Sequence, residues 1–344
     1  MDNITQWVIW WSLYTLITGK RSNKQFRLGA GIANIPDLDV FVGRLLPLSP
    51  IDAQFFHRGI MHSIIFNIWV ALALWYVLHR SDKTVSYWRY VLGIFVSIML
   101  WHLLVDGMTS YGMRYWLPFS GKTYSSDNIF VIDFGMWIIT IAGLIWYMIS
   151  QAKQKIAKVI LIAVWIYFSC TFMIQSYVTQ VFESHYPQRG VPIKIIDAKT
   201  LVEPLQPFLW RHVIKSSLWF YEWYYSIFDT NKEIKREFVP SHKAWEQIVN
   251  DLMELPIPLA DQLTKVKSFS RDMVRITAQW SGYVIENMLF WPLWWRKPGQ
   301  QERMFNFDLL YSWDSYVLVQ SSSRRWWLTS DVWNEFWKRV FGGK

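Results

Sequence analysis

Most of the acidic residues and histidines in the apolar first half of the chain fall into four short clusters. These clusters are Asp37 with Asp39, the run His57–Ser63, His102 with Asp106, and Asp127 with Asp133. Residues 1–180 contain only eight acidic residues and four histidines, so few of these residue types lie outside the clusters. Because an ionisable group in a membrane-like segment is expensive, its presence there indicates a functional site.

The residue types in these clusters point to metal binding, since carboxylates and imidazoles together form the ligand set of zinc and mixed-metal sites. The six predicted metal ligands are Asp37, Asp39, His57, His62, His102 and Asp106. We expect a divalent metal, with zinc as the first candidate and manganese or magnesium as the others. The alternative is a purely structural polar network.

The spacing within two clusters sets conditions on the backbone. His102 and Asp106 are four residues apart, so on a helix they project from one face about one turn apart. His57 and His62 are five residues apart, which places them far out of register on a regular helix. These two histidines converge only if the helix breaks between them, and Gly59 makes such a break plausible.

The carboxylate pair at Asp37 and Asp39 follows Pro36, which biases the preceding residue toward extended backbone. In an extended segment, side chains two residues apart point to the same side. The pair then has two possible uses. Both carboxylates bridge two cations, or one ligates while the other orients a histidine.

Two further residues are candidates for a catalytic role. Arg58 is predicted to hold a phosphate or carboxylate group by a bidentate contact, and the alternative is an ion pair with Asp37 or Asp39. Asp127 is predicted to be the general base. Asp133 is the other candidate for that role, although it also suits the start of an apolar helix.

The hydrophobic pattern predicts the elements that position these residues. Apolar runs lie at about 4–18, 28–50, 60–78, 90–105, 129–150 and 157–178. They predict a polytopic α-helical membrane domain over residues 1–180, with five or six apolar segments. The run at 28–50 is interrupted by Gly29, Gly31 and Pro36, so we expect it to be a broken or re-entrant element.

Residues 181–344 are richer in charge, with 21 Lys/Arg and 18 Asp/Glu against 14 and 8 in residues 1–180. We expect a mixed α/β soluble domain there. Strands are predicted near 191–197, 209–228, 282–290 and 305–320, and helices over 242–254 and near the C-terminus.

Positive charge predicts the topology. The connectors 19–27, 79–89 and 151–158 hold ten Lys/Arg residues, which places them in the cytoplasm. The Asp and His clusters and the C-terminal domain are then extracytoplasmic, in a multi-pass protein of the bacterial inner membrane. The net charge of +9 forms no Lys/Arg-rich run, so nucleic acid is not expected as a partner and membrane lipid is.

The order of these motifs resembles a known family. The motifs are Met1-Asp2-x-x-Thr5-Gln6, Ile35-Pro36-Asp37-Leu38-Asp39, His57-Arg58-Gly59-x-x-His62-Ser63, His102-x-x-x-Asp106-x-x-Thr109-x-Tyr111-Gly112 and Pro118-Phe119-Ser120. Over residues 1–135 they look like the YdjM-like family of membrane-bound metal-dependent hydrolases. The resemblance implies a helical membrane domain and hydrolase activity. Many members carry His where this chain has Gln6 and Thr where it has Met61, and loss of the first removes a possible ligand.

The expected function is therefore a metal-dependent phosphoesterase that acts on a lipid or lipid-linked phosphate at the outer face of the inner membrane. A bound divalent ion activates water and polarises the scissile bond. Two alternatives remain open at this point. One is a non-catalytic membrane protein with a structural or transport-related metal site, and the other is an envelope interaction module.

Overall fold

The contacts within the protein divide the chain into two units. The computed structural model describes residues 3–18, 31–32, 34–81, 87–96, 98, 102–150, 152–186, 195–216, 219–229, 235–240, 257–279, 282–290, 305–312, 315–320 and 330–342. The first unit comprises Met1–Leu48, Ala53–Phe172 and Pro204–Gln206, and the second comprises Ser49–Asp52, Met173–Glu203 and Pro207–Lys344.

The first half of the chain is helical. Its helices are α1 (Asn3–Thr18), α2 (Asp39–Leu45), α3 (Pro50–Phe56), α4 (Ile64–Ser81), α5 (Tyr87–Val96), α6 (Leu104–Asp106), α7 (Phe134–Ile149) and α8 (Lys153–Ser184). Single 3-10 turns, Pro36–Leu38 and Ile60–His62, precede α2 and α4. Side-chain caps fix two helix starts, because Asp133 accepts a hydrogen bond from the amide of Met136 and Ser63 accepts one from the amide of Phe66.

Large apolar side chains from these helices form the core of the first unit. Trp10 and Trp11 of α1 are almost fully buried and belong to the same cluster as Ile94 of α5 and Met136 of α7. A Cβ added at Gly143 would lie 2.5 Å from the side chain of Ile160, so this glycine permits close packing of two helices. The apolar runs therefore bury part of their hydrophobic surface against one another.

The expectation of a polytopic domain with five or six spans is wrong. Among the described residues, only α8 is long and apolar enough to cross a membrane, with 32 residues and a mean hydropathy of 2.0 over its best window. The helix pair Pro50–His62 and Ile64–Val77 adds one more candidate if its 52° bend lies within a single span. The other helices are too short, since a span needs about 20 residues.

The physical reason is that the apolar runs are interrupted and fold on one another. α1 and α7 have 16 residues each, and the run at 90–105 ends in the short helix α6. Hydropathy does not distinguish a side chain that faces lipid from one that faces another helix. The multi-pass topology, and with it the extracytoplasmic placement of the C-terminal part, loses its support.

In its described residues, the second unit contains two antiparallel sheets of four strands each. The strands are β1 (Ile195–Val202), β2 (Leu209–Ser216), β3 (Trp219–Ser226), β4 (Lys235–Pro240), β5 (Val274–Gln279), β6 (Gly282–Asn287), β7 (Phe307–Ser312) and β8 (Ser315–Gln320). Each sheet is a meander, in the orders β1-β2-β3-β4 and β5-β6-β7-β8. Helices α9 (Ile257–Phe269) and α10 (Ser330–Val340) accompany them.

The sequence located most of this secondary structure. The strands expected over 209–228, 282–290 and 305–320 overlap β2, β3, β6, β7 and β8, and the final helix is α10. The helix expected over 242–254 lies outside the described residues. The topology was not anticipated, since the mixed α/β pattern resolves into two β-meanders.

A buried ion-pair network stabilises the second unit. Arg211 on β2 is 2% exposed, and its Nε donates to Glu203 at 2.9 Å and its Nη1 to Glu222 at 2.8 Å. The same guanidinium donates to the backbone carbonyls of Met288 and Leu289 at 3.0 and 3.2 Å. Every nitrogen of this buried cation therefore has an acceptor within the protein.

Candidate metal centre

The first carboxylate pair lies on a turn of helix, not on an extended segment. Pro36 begins the 3-10 turn, and Leu38 and Asp39 continue in helical backbone into α2. Proline at the first helical position is already set to the required φ and has no amide hydrogen to leave unpaired. Because of this turn, Asp37 and Asp39 do not share one side, and the expectation of an extended pair is wrong.

The run from His57 to His62 contains the helix break that its spacing required. α3 ends at Phe56, and Arg58 adopts a left-handed backbone conformation with φ of 57°. The 3-10 turn Ile60–His62 then leads into α4. The break lets both histidines contact the carboxylate of Asp39, with Nδ1 of His57 at 2.9 Å and Nδ1 of His62 at 3.0 Å, but His57 is partly exposed and His62 is fully buried.

The third element is the helical segment that carries His102 and Asp106. The Nε2 atom of His102 lies 3.7 Å from Oδ2 of Asp106, as expected for residues one turn apart on the same face. Gly107 follows directly. A Cβ there would lie 1.9 Å from the hydroxyl of Tyr115, which donates to the carbonyl of Leu103 at 3.1 Å. Glycine thus allows the tyrosine to close over this turn.

Four side chains from these three segments converge on one point. Asp37, His62, His102 and Asp106 each offer one ligand atom, and these atoms all lie within 4.8 Å of one another. The two Nε2 atoms are 3.2 Å apart. Oδ1 of Asp37 lies 3.3 Å from Nε2 of His62 and 3.5 Å from Nε2 of His102, and Oδ2 of Asp106 lies 3.8 Å from Nε2 of His62.

Most of these separations are close to those around a small tetrahedral ion. A zinc ion with nitrogen and oxygen ligands at about 2.0–2.2 Å separates neighbouring ligand atoms by about 3.3–3.6 Å. Five of the six separations, at 3.2–3.8 Å, lie at or near that range, and the two carboxylate oxygens of Asp37 and Asp106 lie within 4.8 Å of each other. The side chains of His62, His102 and Asp106 are at most 1% exposed, whereas that of Asp37 is 21% exposed. Solvent therefore reaches this group on the side of Asp37.

The surroundings keep both carboxylates of this group ionised. Burial raises the pKa of Asp37, but the charge of His102 and the hydrogen bonds from His102 and His62 outweigh it and hold the pKa well below its usual range. Burial likewise raises the pKa of Asp106. The positive charge of the nearby Arg58 guanidinium is the largest of the effects that lower it, and together these effects outweigh burial, so the pKa of Asp106 is also held well below its usual range. An ionised carboxylate is the form that binds a metal.

Arg58 is directed into the protein and supports Asp106. It is 6% exposed, and its Nη2 atom lies 3.3 Å from Oδ1 of Asp106. Its Nη1 atom donates to the hydroxyl of Thr109 at 2.9 Å and to the carbonyl of Asp106 at 3.2 Å. The guanidinium carbon lies 5.0 Å from the ring centroid of Tyr111. The ion pair that Arg58 forms is therefore with Asp106, and not with Asp37 or Asp39.

Asp39 lies behind the group of four and holds His62. Its Oδ2 atom is 3.0 Å from Nδ1 of His62 and accepts a hydrogen bond from the amide of Arg58 at 2.9 Å. Its Oδ1 atom is 2.9 Å from Nδ1 of His57, whose side chain is 30% exposed. A carboxylate that fixes one imidazole nitrogen directs the other toward a metal. Of the two uses open to the aspartate pair, this geometry favours one ligand and one orienting group.

Asp127 and Asp133 occupy different surroundings. Asp127 is buried with a φ of 59° and accepts a hydrogen bond from Ser125 at 2.8 Å. Its neighbour Ser126 donates from its amide to the carbonyl of Gly107 at 2.9 Å, so this segment packs on the turn that follows Asp106. Asp133 caps α7 and accepts a hydrogen bond from Tyr167 at 2.5 Å, which is the structural role open to it from sequence.

Two supporting residues were not singled out by their chemistry. Thr109 donates to the carbonyl of Asp106 at 2.8 Å while it accepts from Arg58, and Tyr111 lies beneath the same guanidinium. In the sequence, both belong to the motif that runs from His102 to Gly112, and this motif is the feature from which they could have been found. Gln6, where many members of the resembled family carry His, is buried in α1 and is not among the four converging residues.

Of three comparisons with known proteins, one finds a match. No curated protein and no solved structure matches the chain. The family model described as YdjM inner membrane protein matches residues 1–178, which is just over half of the 344 residues and includes every residue of the candidate centre. This match confirms the resemblance seen in the sequence motifs. The chain belongs to the YdjM family of inner membrane proteins.

Proposed function

We propose that this protein is a metal-dependent hydrolase of the membrane, with one divalent ion held by Asp37, His62, His102 and Asp106. The observation that carries the proposal is the convergence of two imidazole nitrogens and two carboxylate oxygens within 4.8 Å. A divalent ion between them would lower the pKa of a water molecule and polarise a scissile ester bond. Zinc suits the mixed nitrogen and oxygen donors best, and manganese or magnesium is the alternative.

The residues around the centre support a catalytic use. Asp39 orients His62 and Arg58 orients Asp106, so two ligands are held in place by groups behind them. Asp37 is the partly exposed ligand, and substrate and water reach the centre on its side. Asp127 is the proposed general base, since it is a buried carboxylate on the segment that packs beside the turn after Asp106.

The proposed substrate is a phosphate ester of a membrane lipid or of a lipid-linked group. Two considerations support it. The chain belongs to a family of inner membrane proteins, so amphiphilic esters are the substrates at hand. A doubly charged cation also favours an anionic phosphoester over a neutral ester, because it neutralises the charge that develops on the phosphate oxygens. Arg58 acts in this proposal as a positioning residue for Asp106.

A second function is favoured by the completeness of the ligand shell. Structural zinc sites are closed by four protein ligands, whereas catalytic sites have three and keep a position open. Four side chains converge here, and three of them are at most 1% exposed. A non-catalytic centre that stabilises the helical unit or binds a transported ion is therefore the alternative. The exposure of Asp37 favours the catalytic use, since this ligand is the one that solvent can displace.

Metal analysis of the purified full-length protein tests the proposal. We expect one divalent ion per chain in the wild type, and a loss of that ion in His62→Ala and His102→Ala. His185→Ala is the matched control, because His185 lies at the end of α8 and contacts the carbonyl of Val181. A wild type without stoichiometric metal, or metal that survives in both variants, overturns the proposal.

Hydrolysis separates the two functions. The metal-loaded protein in lipid vesicles is assayed against phospholipids and polyprenyl phosphate esters, with release of phosphate or of a phosphorylated headgroup as the readout. The catalytic function predicts turnover that is lost in Asp127→Asn although the metal is retained. Stoichiometric metal without turnover of any of these esters favours the non-catalytic centre.

A further inference from the structure

The helix that carries Asp39 presents a continuous apolar face to its surroundings. We call this face the α2 stripe, and it consists of Leu38, Phe41, Val42, Leu45 and Leu46. Their exposed fractions are 46%, 63%, 43%, 85% and 44%. The spacing of three, one and three residues from Leu38 to Leu45 places these four on one side of a helix, and Leu46 follows at the extended C-cap. The exposed side of α2 is thus the hydrophobic one, the reverse of a helix that packs into a core and faces water.

Contacts on the opposite side of α2 fix this orientation. Asp39 is 1% exposed and is hydrogen-bonded to the amide of Arg58 at 2.9 Å. One turn later, a Cβ added at Gly43 would lie 3.1 Å from the ring of Phe56. The carboxylate and the glycine therefore hold one face of α2 against the end of α3. The helix cannot rotate to bury the stripe without breaking the contacts of Asp39.

We propose that the α2 stripe is a lipid-contact surface that lies in the bilayer beside the metal centre. The residues 36–45 span about 15 Å as a helix, half of the roughly 30 Å hydrocarbon core, so the segment does not cross the membrane. It lies along the interface with its apolar side chains among the acyl chains. Arg44, which is exposed on the same helix, is placed to meet lipid phosphates at the edge of the stripe.

Lipid is favoured over a protein partner by two features of the molecule. The chain belongs to an inner membrane family, and α8 is an apolar helix of membrane-spanning length whose best window is only 39% buried. The family and the apolar helix α8 both favour a bilayer as the surroundings of this unit. The stripe also contains no polar side chain, whereas protein interfaces usually combine an apolar centre with polar groups that fix register.

The lipid contact has a consequence for the centre. Asp37, the ligand that solvent reaches, precedes the first residue of the stripe, so a stripe among acyl chains places Asp37 near the level of the headgroups. This consequence rests on the proposed hydrolase function. The lipid contact itself does not, because it depends only on the orientation of α2.

Site-directed fluorescence in proteoliposomes tests the surface. The chain has one cysteine, Cys170, so Cys170→Ser provides a background for single labels. Phe41→Cys and Leu45→Cys are labelled with an environment-sensitive NBD fluorophore, and Arg44→Cys on the same helix is the matched control. The vesicles contain lipids with a nitroxide on the acyl chain. We expect a blue-shifted emission and a several-fold larger quenching at positions 41 and 45 than at position 44.

Two results overturn the proposal. Water-like emission at positions 41 and 45, with quenching no larger than at position 44, shows that the stripe faces water. Blue-shifted emission without quenching by the nitroxide lipids shows that a second copy or another protein covers it. Size-exclusion behaviour and thermal unfolding of each labelled variant confirm that the fold is retained. Metal content measured on the same samples keeps the two proposals apart, since lipid quenching without bound metal refutes only the hydrolase.

Discussion

Both units bury charged side chains, but they balance them differently. In the second unit, Arg211 is surrounded by the carboxylates of Glu203 and Glu222 and by two backbone carbonyls, so the cation is part of the protein. In the first unit, two carboxylates and two imidazoles bring four possible metal-ligand atoms within 4.8 Å of one another. The Arg211 network of the second unit contains its own cation. The His and Asp centre of the first unit is an arrangement that a bound cation completes.

The difference teaches what distinguishes a structural polar network from a candidate site. Buried charge alone does not, because the Arg211 network is at least as buried as the His and Asp centre. The direction of the groups does, since two carboxylates and two imidazoles that point at one another are held together best when a proton or a metal lies between them. The following predictions test this contrast, from the largest expected effect to the smallest.

The largest effect is expected where the protein supplies its own cation. Arg211→Leu leaves Glu203 and Glu222 buried without their partner, which costs about 3–5 kcal/mol of unfolding free energy. Intrinsic tryptophan fluorescence during denaturation measures the loss. Lys199→Leu is the control, because Lys199 pairs with Asp197 at the surface, where such pairs contribute below about 1 kcal/mol. Equal effects of the two substitutions would contradict the structural role of Arg211.

Removal of the metal is expected to have the next largest effect. At a free metal concentration of roughly one hundred times Kd, binding stabilises the folded state by about 2.7 kcal/mol. A chelator therefore lowers the Tm of the wild type and leaves the Tm of His102→Ala unchanged. Thermal unfolding with and without chelator measures both. An equal change in the Tm of the wild type and of His102→Ala would show that no metal at this centre stabilises the fold.

Asp39→Asn tests the group behind the ligands. The amide no longer holds His62 as a carboxylate does, and loss of such an orienting group weakens metal affinity about 10–100-fold, or about 1.4–2.7 kcal/mol. Competition with a metal-sensitive dye measures the change. Asp52→Asn provides the control, since Asp52 pairs with Lys265 and has no atom in the centre. An unchanged affinity in Asp39→Asn would make Asp39 a purely structural residue.

The smallest effect is expected for His57→Ala. His57 was predicted as a ligand, but its Nδ1 atom contacts Asp39, so its loss removes one partly exposed hydrogen bond worth about 1 kcal/mol. Metal analysis should still find one ion per chain, with affinity reduced by several-fold at most. Loss of the ion in this variant would return His57 to the ligand set and require a different conformation of the His57–His62 run.

The sequence predicted some parts of the centre more accurately than others, and locality explains the pattern. His102 and Asp106 were placed on one helical face by spacing alone, and the structure brings them within 3.7 Å. The break between His57 and His62 was also foreseen. The position of the His57 side chain was not foreseen, because it depends on a contact with Asp39, which is 18 residues away in the chain.

The membrane prediction failed for a related reason. A run such as residues 4–18 has the composition of a span, yet Trp10 and Trp11 within it pack into the core of the first unit. An apolar side chain gains similar free energy from leaving water for lipid or for another helix. The pattern of one segment therefore gives hydrophobicity but not the partner against which it is buried. The two β-meanders of the second unit depend on strand pairings between segments in the same way.

The sequence by itself determined the chemistry of the donors, the pairing of His102 with Asp106 and the family to which the chain belongs. Tertiary structure alone decided which carboxylates and imidazoles meet. Asp37, His62 and His102 lie on three separate segments that become neighbours only when the helices pack, and packing energy is set by contacts far apart in the chain. The same packing turned Asp39 inward and left the α2 stripe exposed, because one helix has two faces and only its neighbours determine which is buried.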